Sequence, residues 1–308
     1  MERVSNELRR GGNLPSSDTV LGKIGAQDPE MLWVVLRKII KRLLKKAKAS
    51  GGFDVPVDIA IDYHDMPYYG KERSCWIIRR RAKDGTKWCY RWATLSVIVR
   101  GRRFILACMP VKNTFTHEYV IRCLIHEAKK HVRCIRYVTL DREFYSIECI
   151  RCLKSLNLRY ILPAKEFSKL KSEMKKNLSK GIYCFKYVLK NSKDSIEITV
   201  KVAWSKSRNK YIPYVTNTRL SPENVQEVYR RRWGIETCYR EVDMDFLAKT
   251  TSNKFAIRLI YFWMAVFLFN LWTLANFMLM QCAKTTNNVK HIIAWAFCKR
   301  FLQQIIPG

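Results

Sequence analysis

Between residues 55 and 165 the apolar spacing of this chain alternates between that of strands and that of helices, and this limits its possible folds more than any other feature. Residues 57–62 (Val-Asp-Ile-Ala-Ile-Asp) form an apolar strand ending in an acid. Residues 88–99 and 102–111 read as a hairpin turning at Arg100-Gly101. Helical spacing covers 116–130, and 135–141 is a second buried strand that again ends in an acid. A helix over 143–156 and a strand over 159–162 complete the run.

Strand, hairpin, helix, strand, helix, strand is the order of a ribonuclease-H-like α/β sheet. In it, the 57–62 strand is flanked by a hairpin strand on one side and the 135–141 strand on the other. Residues 165–180 are lysine-rich, and 183–189, 196–204 and 211–216 look like three strands of a β insertion. Ser221-Pro222-Glu223 supplies an N-cap and an N1 proline for a helix running to about residue 247. Asp28-Pro29-Glu30 opens an earlier helix, apolar at Leu32, Val35, Leu36, Ile39, Ile40, Leu43, Leu44 and Ala47 and basic elsewhere. Ser50-Gly51-Gly52 then marks a boundary.

Charge narrows the partners. Lys and Arg number 57 against 26 Asp and Glu, a formal net charge of +31, while 48% apolar content excludes a disordered basic tail. Self-repulsion of that size calls for a polyanion, either nucleic acid or an anionic membrane. Residues 259–283 carry no charge and are long enough to span a bilayer. Asn270, Thr273, Asn276 and Gln281 are costly in lipid, however, and a buried core helix reads the same way. The eleven cysteines are odd in number and follow no secretory signal, so reduced thiols of a cytoplasmic protein are expected. Cys149 and Cys152 form the one C-x-x-C, with no second pair and no histidine at finger spacing to complete a zinc site.

Asp62 and Asp141 each end an apolar strand, and neighbouring parallel strands open their carboxyl ends onto a common crevice. Two close carboxylates repel unless protonated or bridged by a cation, and hard oxygen ligands suit Mg²⁺ or Mn²⁺. Position alone favours the plainer reading of both as strand-end residues. Tyr229, Arg232 and Glu236 then fall at i, i+3 and i+7, on one stripe of the helix that Ser221 opens. Arginines beside an acid can hold phosphate near a metal; a salt-bridged helix with Tyr229 and Trp233 packed in the core is the alternative.

These segments resemble the DDE transposases of the insertion-sequence type that carry a tyrosine-arginine-glutamate signature helix, with the archaeal members most alike. Residues 58–70, from Asp58 to Gly70, are similar to the first-aspartate block. Residues 138–144, with Asp141-Arg142 after the strand, are similar to the second. Residues 229–252 are similar to the third, and Asn270-Leu271-Trp272 resembles the family's C-terminal core helix. The resemblance implies a ribonuclease-H-like catalytic core built from 51–164 and 220–308. A β insertion at 165–219 and a helical basic DNA-binding region at 1–50 complete the division. It implies Asp62, Asp141 and Glu236 as catalytic acids holding Mg²⁺ or Mn²⁺, and Tyr229, Arg231, Arg232, Arg240 and Lys249 as DNA contacts. It also implies element ends and target DNA as substrates, a homodimer in a synaptic complex, and no membrane.

The chain departs from that pattern in places. The signature lysine's position is taken by Asp243, leaving Arg240 or Lys249 to replace it, and the N-terminal region is shorter than in many relatives. Asp65 competes with Asp62 as first acid; Asp62 is preferred as the strand's last residue, with Asp65 expected in the loop beyond. Trp204 is expected to bury like most large aromatics, its alternative use being to stack on an extruded base. A ribonuclease-H-like nuclease, or an inactive transposase-derived DNA binder, would carry the same features.

Overall fold

Alternation of Val57, Ile59 and Ile61 with Asp58, Ala60 and Asp62 produces a strand because β-branched side chains fit a pleated surface buried on both faces. The computed structural model describes residues 15–53, 55–71, 74–99, 102–283, 296–297 and 300. The expected hairpin turn at Arg100-Gly101 lies outside the described residues, as do residues 1–14 of the N-terminal region.

Two helices come first, α1 (Ser17–Gly25) and α2 (Pro29–Ala49). Strands β1 (Val57–Pro67), β2 (Ile77–Lys83), β3 (Thr86–Val97) and β4 (Ile105–Val111) follow. Helix α3 (His117–Ala128), strand β5 (Ile135–Leu140), helix α4 (Ile147–Ser155) and strand β6 (Tyr160–Pro163) complete the expected alternation. Next come helix α5 (Ser168–Leu178) and strands β7 (Cys184–Lys190), β8 (Ser195–Ser205) and β9 (Lys210–Thr216). Helices α6 (Pro222–Arg230), α7 (Trp233–Glu241) and α8 (Phe255–Ala283) follow.

The chain divides into two compact units. One comprises Phe53–Asp65 and Arg91–Thr237. The sheet order is β2-β3-β1-β5-β6-β9-β8-β7, with β4 also paired to β3; β1, β5 and β6 are parallel, and β2–β3, β3–β4, β6–β9, β9–β8 and β8–β7 are antiparallel. This is the ribonuclease-H-like α/β core expected from the element order. The three later strands join the same sheet, β9 pairing with β6 through Ile161↔Thr216 and Pro163↔Tyr214. Caps fix the helix starts: Thr116 Oγ1 accepts from Tyr119 N, Ser146 Oγ from Cys149 N, and Ser221 Oγ from Asn224 N. Cys149 and Cys152 lie buried on α4, and burial pushes the Cys149 thiol up to about 11, so the C-x-x-C is core packing.

The other unit comprises Met1–Gly52, Met66–Tyr90 and Cys238–Gly308. Asp28 caps α2 as expected, but only Ile40, Leu43, Leu44 and Ala47 bury, leaving Val35 and Ile39 exposed on its first half. Asp84 and Gly85, at φ 54° and 75°, form the β2–β3 turn, both in the left-handed region that a two-residue hairpin of matching twist requires. Helix α8 packs against α2 and α1 and passes the length test for a membrane span, yet 61% of its most apolar stretch is buried within the protein. Asn270, Thr273 and Asn276 are buried with it, and Phe246 meets Phe269 and Trp272. It has the character of a core helix.

The long helix expected over 221–247 is interrupted. Across Arg231 to Ile235 the amides bond to carbonyls three residues back rather than four, a tight turn that separates α6 from α7, and residues 242–246 form a π turn. Residues 165–180, read only as lysine-rich, include α5, held by buried Leu170 and Met174. Trp204 is 44% exposed, against expectation, because the alternation of β8 turns Ala203 and Ser205 inward and Trp204 outward, where it packs edge-on against Tyr211.

Candidate active site

The acids meet through strand register. Ile61 on β1 pairs with Leu140 on β5, so the next residues, Asp62 and Asp141, emerge side by side from adjacent parallel strands, about 5 Å apart at the backbone. Asp62 does not end its strand, as β1 continues to Pro67; what stops at Ile61 is the pairing with β5. Asp65 therefore belongs to the strand too, and the odd spacing from Asp62 puts it on the opposite face. There Arg91 takes both its oxygens, at 2.7 and 2.8 Å, and also reaches Glu143 at 2.6 Å. The Arg91 guanidinium lies over the Tyr63 ring, and Tyr63 shares a 2.7 Å hydrogen bond with His117 Nδ1. Asp65 is thus held in an ion-pair cluster, and burial lowers the His117 pKa within it.

The turn between α6 and α7 delivers the remaining residues. Arg232, its side chain only 9% exposed, donates from Nη1 to Asp62 Oδ2 at 2.8 Å and from Nη2 to Glu236 Oε1 at 2.6 Å. Its Nε is buried without a hydrogen-bond partner. The Tyr229 ring lies 5.5 Å from the Arg232 guanidinium and 5.2 Å from the Tyr214 ring. Burial is the main cause that pushes the Asp62 carboxyl up to about 6; Arg232 pulls it down, while Asp141 and Glu236 push it further up.

The donor set suits a hard divalent cation: three carboxylates, one of them buried and destabilised as an anion by the other two. Among the described residues no three acidic, histidine or cysteine side chains are already gathered as a metal cage. Arg232 instead supplies positive charge between two of the acids. The residues fit a cation once the guanidinium yields its place.

A cleft of about 710 Å³ opens beside Asp141 and Arg232. Arg142, Arg208 and Arg230 line it, with Tyr214, Tyr229 and Trp233. Trp233 is 57% exposed rather than packed in the core. Sequence reading missed Arg142, Arg208, Arg230 and Trp233 as a group. Three of them adjoin named motif residues, and that adjacency was the available signal; Arg208 reaches the cleft only through the β8–β9 turn. Arg231, named as a DNA contact, pairs in this structure with buried Asp58 at 3.3 Å and with Glu227 at 3.2 Å. Arg240 is exposed in the last turn of α7 and Lys249 in the coil before α8, both in the other unit.

Among curated proteins none matches this chain. Among solved structures, one similar chain comes from the cryo-EM structure of a piggyBac transposase synaptic complex with hairpin DNA, at TM-score 0.58 and 15% identity. The likeness covers 82% of this chain and 53% of that one, so this chain spans about half the length of the solved protein, and what the two share is the fold. Residues 55–271 match the family model described as Transposase DDE domain, which takes in both aspartate strands, the Arg232 turn and the first half of α8. By that match over most of its length, the chain belongs to the DDE transposase domain family.

Proposed function

We propose that this chain is a DNA transposase of the insertion-sequence type, in the archaeal-like branch with a Tyr-Arg-Glu signature helix, which cuts element ends and joins them to target DNA. The observation that carries this reading is the convergence of Asp62 and Glu236 on one guanidinium, with Asp141 on the strand adjacent to Asp62. Asp62, Asp141 and Glu236 would hold Mg²⁺ or Mn²⁺, which when bound activates an attacking oxygen and stabilises the departing one.

The protein's own side chains then bind and orient. Arg232 exchanges its carboxylate partners for a phosphate beside the scissile bond, its unpartnered Nε gaining an acceptor. Tyr229 and Trp233 flank the bound strand, and Arg142, Arg208 and Arg230 neutralise its backbone along the cleft. Water attacks the phosphodiester at an element end, and the P–O bond to the leaving 3′ oxygen breaks, freeing a 3′-hydroxyl. That hydroxyl next attacks a target phosphate, so one P–O bond forms as another breaks, and no covalent enzyme intermediate is needed.

The lysines between 165 and 180, with those of the 37–48 helix, would add sequence-independent DNA contacts, and two chains would pair as a synaptic homodimer in the cytoplasm. The test is incubation of a labelled element-end duplex with target DNA and Mg²⁺. Nicking followed by joined product supports the reading. Nicking without joining indicates a nuclease, and DNA binding with neither indicates an inactive derivative, the outcome that Asp243 at the lysine position favours.

A further inference from the structure

At the end of the sheet remote from the acids, two adjoining concavities of about 430 and 530 Å³ share Arg159 and Asn217. The first is completed by Pro56, Arg136 and Asn157 among others, the second by Tyr137 and Arg219. Their place follows from register. Val57 pairs with Ile135 where β1 and β5 begin, Arg159 precedes β6, and Asn217 to Arg219 follow β9, which runs antiparallel to β6. Six residues of extended strand separate Pro56 from Asp62, about 20 Å.

This surface is built rather than loose. Asn217 Oδ1 accepts from Tyr160 N at 3.0 Å, and its Nδ2 donates to Leu158 O at 2.8 Å, tying the loop after β9 to the start of β6. Buried Lys201 donates from Nζ to Thr218 O at 3.0 Å and to Leu220 O, placing a positive charge beneath the same loop. Arg136 is clamped by buried Asp58 through Nε at 2.7 Å and Nη2 at 2.6 Å. Asp58 also receives Arg231, so its single negative charge is exceeded by the two arginines on it. Arg159 and Arg219 are exposed on either side.

We infer that this far-end groove binds the phosphate backbone of a second DNA segment, separate from the one in the catalytic cleft. Arginines spaced along a concave surface suit successive phosphates, which they engage through planar guanidinium forks. A straight duplex lying against one end of the sheet cannot also lie against the other. A second copy of this chain is a poor occupant, because 57 basic residues against 26 acidic ones leave little acidic surface to complement the groove. The inference rests on the DNA-handling function proposed above and deepens it: strand transfer brings both joined strands to the one set of acids, so the far-end groove holds DNA away from the reacting phosphates.

The test uses the full chain and an Arg159→Glu/Arg219→Glu variant. Both positions are exposed, and an unchanged thermal melt establishes that the variant folds. Arg136 is left intact because it satisfies Asp58. Binding of a short blunt duplex is titrated by fluorescence anisotropy over a range of KCl, without divalent ions. Wild type is expected to bind two duplexes per chain and the variant one, with a salt slope shallower by about 2. Nicking of a labelled element end in Mg²⁺ should persist in the variant. An unchanged stoichiometry and slope would overturn the inference, as would displacement of the duplex from the far-end groove by polyglutamate at equal charge. Wild type that binds two duplexes but never nicks would sink the transposase reading alone and leave this one standing.

Discussion

Arg232 donates to Asp62 at 2.8 Å across the mouth of the candidate active site, and the same guanidinium closes on Glu236 at 2.6 Å. One internal cation thus offsets two acids whose negative charges would otherwise oppose each other in a partly buried space. Replacing Arg232 by Gln leaves them uncompensated. Removing one partner of a buried ion pair costs about 3–5 kcal/mol. Denaturant unfolding in EDTA should show a loss of that order, and Mg²⁺ should restore part of it by taking up the charge. An equal loss with and without Mg²⁺ counts against a cation in this place.

Asp62 also imposes a pH dependence on stability. Its carboxyl rises from an ordinary 3.8 to about 6 in the folded protein, chiefly through burial. Between these values the folded state holds a proton that the unfolded chain has released. The stability contribution is therefore complete below about pH 4 and is lost as pH rises through about 6, amounting to about 3 kcal/mol. In metal-free buffer Asp62→Asn should abolish that fall and be more stable than wild type at neutral pH. Thermal melts of both proteins across the window give the comparison, and parallel profiles would contradict the buried-acid account.

Asp141 makes no side-chain capping bond to the short helix that follows it, so its removal should spare the fold. Asp141→Ala is expected to melt close to wild type while Mg²⁺-dependent nicking falls roughly 10³-fold, the equivalent of losing several kcal/mol of charge stabilisation. A variant that keeps most of its nicking activity removes Asp141 from the chemistry.

Asp65 and Asp62 are separated by environment rather than by residue type. Asp65 is locked to Arg91, whose side chain is 12% exposed and also binds Glu143. Asp65→Asn should lower stability by about 3 kcal/mol, the lower end of the range for a broken buried pair, while leaving Mn²⁺ binding intact. Asp62→Asn should do the reverse: a gain in metal-free stability at neutral pH, as above, and much weaker Mn²⁺ affinity. Calorimetric titration with Mn²⁺ alongside urea unfolding separates the two, and weakened Mn²⁺ binding in the Asp65 variant would reopen the choice between them.

Arginine placement was the least legible part of the sequence. The run Arg230-Arg231-Arg232 presents three identical side chains, yet Arg230 lines the cleft, Arg231 reaches Asp58 and Arg232 spans the acids. A tight turn with three-residue hydrogen bonds separates them, and helical spacing drawn on paper does not reveal it. Trp204, expected to bury, is exposed for a related reason: size favours burial, but strand alternation sets the direction of its ring.

The sequence by itself determined the order of most strands and helices and the caps at Asp28 and Ser221. Those follow from local periodicity and from backbone groups that only nearby side chains can satisfy. Tertiary structure alone decided that Asp62 faces Arg232 while Asp65 faces Arg91, and that β7, β8 and β9 extend the core sheet. It also decided that Arg159 and Arg219 share a groove at the far end. Each of those outcomes depends on which residues from distant segments meet across a strand register, and a single chain read in order carries no direct record of that register.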